Sequence, residues 1–211
     1  MRRSAHYWFV FSYTLFFTIL FMVTFFAMRD HTSRDLVLVI IFALAFVCII
    51  PTIMVLRYPL YKAFGLYHQG NFEALLKYGE KHLNLVLSID VENMHALVAV
   101  ACFTLYDDVG FITHMKYVKH KNILPTKYAF LSIYYGVHGH EPECLDNYLL
   151  FKEHANHIHP FSARVRFLKL MKNFHLVITG QASQTVYEDI MLDNKNPRIT
   201  KFIREFKPKN N

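Results

Sequence analysis

Glycine is scarce in this chain: seven copies in 211 residues, none of them in a phosphate-cradling loop or a nucleophile elbow. The commonest nucleotide-binding and hydrolase signatures are thereby excluded. Cysteine is scarcer. Cys48, Cys102 and Cys144 form an odd set without paired spacing, which argues against a disulfide framework and for buried, reduced thiols in a cytosolic compartment. Clean period-two stretches and two-residue glycine hairpins are nearly absent, so a β-rich fold is not expected. Charged residues make up only 18% against a hydrophobic fraction of 54%, too apolar for an average soluble domain.

The apolar residues are concentrated at the front. Trp8 to Met28 and Leu36 to Leu56 are each 21 residues without a charge. As helices they would reach roughly 31 Å, about the thickness of a bilayer's hydrocarbon core. The expectation is a transmembrane hairpin over residues 1–56, with spans at about 8–28 and 36–56. A cleaved signal peptide fits the first run less well, because it ends in bulky Phe25, Phe26, Ala27 and Met28. Thr14 and Thr18, one turn apart, are expected to bond back onto their own helix. The spans hold no Asp, Glu, Lys, Arg or His, which counts against an ion or proton pathway. Arg2, Arg3, Arg57, Lys62 and Lys77 flank one side and only Arg29 and Arg34 the other. The basic count therefore predicts a multi-pass protein of the cytoplasmic membrane with both termini cytosolic. Trp8, Tyr58 and Tyr61, with Arg57 and Lys62, are the expected membrane-surface residues.

Residues 57–211 carry 19 basic and 14 acidic residues, and their periodicity is helical, as in Leu75, Tyr78, His82 and Leu85. Breakers organise them. One set falls near Gly70, Asp107-Asp108, Gly139 and Asn173; a second falls near Ser88–Asp90, Lys121–Pro125, Asn156–Pro160 and Asp193–Pro197. The second set recurs about every 35 residues, with helix-length segments between, and Pro59, Pro125, Pro160 and Pro197 stand at helix starts. All-α architecture follows, with an α-solenoid-like array of helical hairpins behind the front segment. The stretch Gln69 to Leu83 (QGNFEALLKYGEKHL) and the positions Tyr128, Leu131, Ser132, Tyr135, Gly139, Cys144 and Tyr148 resemble tetratricopeptide repeats. Leu97, Ala101 and Tyr117 suggest a degenerate copy between them. Departures include Leu75 and Gly79 in the first copy and Arg166 in a fourth, which is also readable as a capping pair. The resemblance implies a concave surface for a protein or peptide partner, with Tyr134, Tyr187 and Phe130 as candidate contacts.

Histidine is abundant at 13 copies. His154, His157 and His159 cluster before Pro160, weak metal candidates with Glu153 or Cys144 nearby; neither HExxH nor paired CxxC accompanies them, so ordinary surface histidine is the stronger reading and no cofactor is expected. Arg164, Arg166, Lys169 and Lys172, and then Lys195, Arg198, Lys201, Arg204, Lys207 and Lys209, read as a solvated basic face and tail. Contact with anionic lipid headgroups ranks next and nucleic acid last. The leading expectation is a non-enzymatic, membrane-anchored interaction scaffold. The alternatives are an accessory subunit of a membrane transport or secretion complex, and a membrane-surface enzyme using His154, His157 and Glu153. Abundant Phe, Tyr, Lys, Asn and Ile point to an AT-rich, bacterial source.

Overall fold

Helix ends in this chain are set by proline, asparagine and aspartate, and the observed elements follow them. The structure, a computed structural model, describes residues 14–22, 24, 57–158, 160–193 and 196–206. Among these residues every regular element is helical. A helical stretch covers 14–22, where Thr18 Oγ1 donates to the Thr14 carbonyl at 2.8 Å. Then come α1 over 57–68, α2 Phe72–His82, α3 Val91–Thr104, α4 Asp108–Met115 and α5 Leu124–Val137. α6 Glu141–His154, α7 Phe161–Ile178, α8 Gln184–Asp193 and α9 Pro197–Phe206 complete the order.

The caps have clear chemical causes. Asn71 Oδ1 accepts from the Ala74 amide at 3.2 Å ahead of α2, and Asp107 Oδ1 accepts from Gly110 N at 2.8 Å ahead of α4. Each satisfies one of the amides that a helix start leaves without a partner. Proline occupies the first turns of α5 and α6, where its missing N–H costs nothing. Between paired helices the backbone turns through positive φ at Gly70 (71°), Tyr106 (64°), Gly139 (74°) and Gly180 (68°). Glycine is the ordinary residue at this left-handed C-terminal position, because a Cβ there crowds the following carbonyl. Tyr106 is the exception among the four.

Two compact units result, one of Met1–Lys62 with His82–Val91, the other of Ala63–Lys81 with Glu92–Asn211. In the first, Asp90 is buried and receives a two-pronged bond from Arg57, Nε at 3.1 Å and Nη2 at 3.2 Å. In the second, α3 is buried on every side from Ala96 to Thr104, as expected of a helix apolar all round. Phe111 packs on Phe103 of α3 with centroids 5.5 Å apart, and Phe111, Met115, Phe151, Met171 and Phe174 of the same unit are each essentially shielded from solvent. Each such side chain stabilises the unit by about 1.5–3 kcal/mol relative to exposure. Glu92 of α3 ties down the segment after α4, its Oε2 accepting from the amides of Lys119 and His120 at 2.6 and 2.5 Å. Ser132 of α5 and Cys144 of α6 are both buried, and Ser132 Oγ donates to the Cys144 carbonyl at 2.9 Å, so two small residues let these helices approach.

Three expectations are corrected. Among the described residues no helix is long and apolar enough to cross a membrane. The longest, α7, has 18 residues and carries Arg164, Arg166, Lys169 and Lys172, whereas a span needs about 20 predominantly apolar residues. The two-span hairpin and the multi-pass cytoplasmic-membrane location with cytosolic termini are therefore not supported and are withdrawn. Of the expected spans, only 14–22 and 24 are described; the remainder of 8–28, all of 36–56, Trp8 and Cys48 lie outside the described residues. Asn173 does not break a helix: it is buried within α7, and the turn comes at Gly180. Asparagine in a helix interior costs well under 1 kcal/mol, which core packing easily overrides.

Two helical glycines are pressed by neighbours. A Cβ on Gly79 of α2 would collide with Val98 Cγ2, and one on Gly136 of α5 would meet Ile178 Cδ1 at 2.9 Å and Phe174 Cε1 at 3.0 Å; Gly65 of α1 has nothing within 4 Å. Gly79→Ala is expected to lower unfolding free energy by about 1–3 kcal/mol, and Gly65→Ala to raise it by about 0.5–1 kcal/mol. Urea denaturation checks the contrast, and equal effects at the two positions would contradict this packing.

Candidate functional site

The side chains with the most specific environment surround Arg198, at the start of α9. Arg198 is only 5% exposed. Its guanidinium remains charged at any biological pH, so burial requires acceptors. Nη1 donates to Asp108 Oδ1 at 2.6 Å and to the Phe103 carbonyl at 2.9 Å. Nη2 reaches Asp108 Oδ2 at 3.4 Å and His138 Nε2 at 3.2 Å. The Cζ atom lies 4.6 Å from the Phe103 ring centroid and 4.7 Å from that of Tyr106, a cation held between two aromatic faces. Arg198 Nε is buried with no hydrogen-bond partner among the described residues, a deficit of about 1–3 kcal/mol.

Neighbouring groups are arranged around this cation. Burial would raise the Asp108 carboxyl, but the hydrogen bond and charge of Arg198, then those of His138, outweigh it and hold the group below its ordinary value. His138 Nδ1 lies 2.7 Å from the Tyr134 carbonyl, which can only accept, so Nδ1 carries a proton. The neutral ring then accepts from Arg198 through Nε2, while the doubly protonated ring donates to Asp108 Oδ2 at 3.0 Å. Asn196 fixes the helix start: its Oδ1 accepts from the amides of Arg198 and Ile199 at 3.0 and 3.3 Å. Its Nδ2 donates to Thr104 Oγ1 at 2.6 Å, and that hydroxyl donates to the Val100 carbonyl at 2.8 Å. α9 is thus anchored to the C-terminal end of α3, to the turn after it and to the end of α5. Farther along, Phe202 meets Phe174 of α7 with centroids 5.9 Å apart.

Sequence reasoning placed Arg198 in a solvated basic tail. It is buried, because it heads the stripe Arg198, Ile199, Phe202, Ile203, Phe206, whose isoleucines are also buried. The available signal was that stripe behind an Asn-Pro helix start. Asn196, Asp108 and Thr104 were missed as partners, since 90 or more residues separate them from α9 or each other in sequence.

The expected sites are dispersed. His154 and His157 stand with ring centroids 6.3 Å apart, and His154 stacks on Tyr128 at 5.4 Å; His159 lies outside the described residues. Among the described residues no three His, Cys, Asp or Glu side chains are grouped to hold a metal ion. Arg57 is engaged by Asp90, while Tyr58 and Tyr61 are 59% and 58% exposed. Lys62 is exposed on α1. Tyr187 is core, at 5% exposure. Tyr134 and Phe130 are half-buried, Tyr134 against Phe111 at 5.0 Å and Phe130 against Phe103 at 6.4 Å.

A second polar pair sits between α3 and α4. His95 Nδ1 and His114 Nδ1 are 2.8 Å apart, a contact in which one ring must donate and the other accept. Burial lowers both pKa values, with the neighbouring His114 adding to the effect at His95, against opposing pulls from Glu92 on His95 and from Glu80 and Asp107 on His114. Burial, then Lys152, lowers His175 too. On the alkaline side, burial and then Asp107 push Cys102 up to about 12, and burial raises Cys144 despite its bond to Ser132. Compared with protein-family models, curated proteins and solved structures, the chain matches none.

A lowered histidine pKa means that the unfolded chain binds protons first. The three histidines therefore contribute stability above their ordinary value of 6.5 that is lost as pH falls below it. Raised thiol pKa values mean that the unfolded chain deprotonates first, so stability is lost above about 9. Urea midpoints measured against pH should form a plateau between these limits, and His95→Gln should flatten the acid limb. An unchanged acid limb would contradict the histidine assignment. Cys102 and Cys144, buried as free thiols, should resist alkylation in the native chain and react at once in denaturant.

Proposed function

We propose that the chain is a helical-repeat scaffold of tetratricopeptide-like hairpins that holds a segment of a protein partner against an inner face. The hairpins in question are α1–α2, α3–α4, α5–α6 and α7–α8. Within the second compact unit the first helices α3, α5 and α7 would line that face. One observation carries the reading: a single helix, α9, touches the ends of all three at once, through Phe103 and Thr104, through His138, and through Phe174. A face continuous enough to seat one helix has the dimensions to seat a helical or extended partner segment.

The polar content of that face supports a peptide over a small apolar ligand. Asp108, His138 and the Phe103 carbonyl supply directional acceptors, and Phe103, Tyr106 and Tyr134 supply rings. Such a mixture of aromatic anchors and a few fixed polar groups is how protein surfaces combine affinity with orientation.

The test is site-specific photocrosslinking in cells of the source organism. A benzoylphenylalanine placed at Tyr134 should give a discrete adduct with another protein, while one placed at Leu149, exposed on α6, should not. Absence of an adduct from position 134, or an adduct from position 149 alone, would overturn the inner-face reading.

A further inference from the structure

The inner face already has an occupant, and its chemistry specifies what could replace it. We propose that α9 is an internal ligand: it fills the face in cis, and a partner enters by presenting an amphipathic helix whose leading arginine takes the place of Arg198. This rests on the scaffold reading above and adds the class of partner and the means of access.

The seat for the arginine is built by residues outside α9. Asp108 and the Phe103 carbonyl accept from the guanidinium, the Phe103 and Tyr106 rings flank it, and His138 closes the remaining side. Tyr106 is held at a φ of 64°, a conformation disfavoured for a residue with a side chain, and its ring is one of the two that cover Arg198. The same φ ends the other hairpin helices at Gly70, Gly139 and Gly180, and at Tyr106 it sets a ring over the cation. A carboxylate paired with two aromatic faces is selective for arginine over lysine, because only the planar guanidinium can stack and bond at once.

α9 fits this seat specifically but not completely. Its apolar stripe buries Ile199 and Ile203, while Lys201, Arg204 and Glu205 remain exposed. Arg198 Nε has no acceptor among the described residues. A recess of about 270 Å³ lined by Tyr187, Glu188, Met191, Ile203 and Arg204 is left along the α8 side of α9. An occupant with an unmet donor and an unfilled recess leaves room for a better one. The replacement is a helix with arginine in its first turn and large apolar residues one, four and five positions later, the spacing of Ile199, Phe202 and Ile203.

Two measurements on the full chain test this. In hydrogen exchange, α9 amides should exchange at least tenfold faster than those of α5, and Arg198→Met should accelerate α9 at least tenfold further while leaving α5 and α6 within twofold. In fluorescence anisotropy, a labelled peptide spanning residues 196–206 should bind the Arg198→Met chain at least tenfold more tightly than the wild type, whose own α9 competes. The same peptide with methionine at its arginine position should lose that binding, as should Asp108→Asn in the receiving chain. Exchange of α9 together with α5 in the wild type would make α9 a structural cap and overturn the proposal, as would equal binding of the two peptides or binding of neither. The scaffold reading fails separately. Crosslinks from position 134 with a co-exchanging α9 would retain the scaffold without the internal ligand. Exchange and peptide results as expected without crosslinks would leave a groove that serves only its own helix, and the partner part of the proposal would fall.

Discussion

A guanidinium cannot shed its charge, so a chain that buries one must build its surroundings around it. Arg198 imposes this constraint on four residues above all. Asp108, the first residue of α4, supplies the counter-charge while Asp107, one position earlier, caps the same helix, so one dipeptide serves both ends of the problem. Phe103 contributes its carbonyl and its ring, because α3 ends there and leaves that carbonyl without a partner inside the helix. Tyr106 accepts a strained backbone and covers the cation. Asn196 holds the approach of α9 with both halves of its amide.

Histidine, the composition's strongest anomaly, has a use that concerns flatness more than metal or charge. His95 lies on Tyr117 with centroids 4.5 Å apart, His154 on Tyr128 at 5.4 Å and His175 on Tyr148 at 4.6 Å, with ring planes within 15° of parallel in each case. A neutral imidazole offers a compact π-face with polar edges. It can pack on tyrosine at a half-buried position and still meet water or a carbonyl. The lowered pKa values of His95 and His175 follow from that use, since burial disfavours the protonated ring.

Much of the helix layout was legible from residues that constrain the backbone. Pro125, Pro160 and Pro197 stand at helix starts, and Gly70 and Gly139 sit at left-handed turns, because these two residue types act locally and leave little for tertiary context to change. Asn173 misled for the opposite reason: its preference is weak, and a buried position in α7 overrode it. The membrane hairpin was inferred from uncharged runs, which measure hydrophobicity without saying whether a spanning helix forms. The arginine site was not legible, because its partners lie 60 to 95 residues from it and its side chain was counted with a basic tail. Burial of a charge is decided by distant acceptors, and no local pattern records them.

The bond between Asn196 and Thr104 spans 92 positions of sequence, and that from Arg198 to the Phe103 carbonyl spans 95. In an all-helical chain most contacts run between elements close in sequence, and a helix without distant bonds opens at low free energy. A clasp between α9 and α3 makes a loop of everything between. Opening of α9 must break both bonds before it can spread inward. The closure entropy of so long a loop grows only slowly with its length, so the clasp imposes this order of opening at little extra cost. A molecule that opened it would do more than vacate a surface: it would free α9 from the end of α3 and leave the helices between without their longest-range tie.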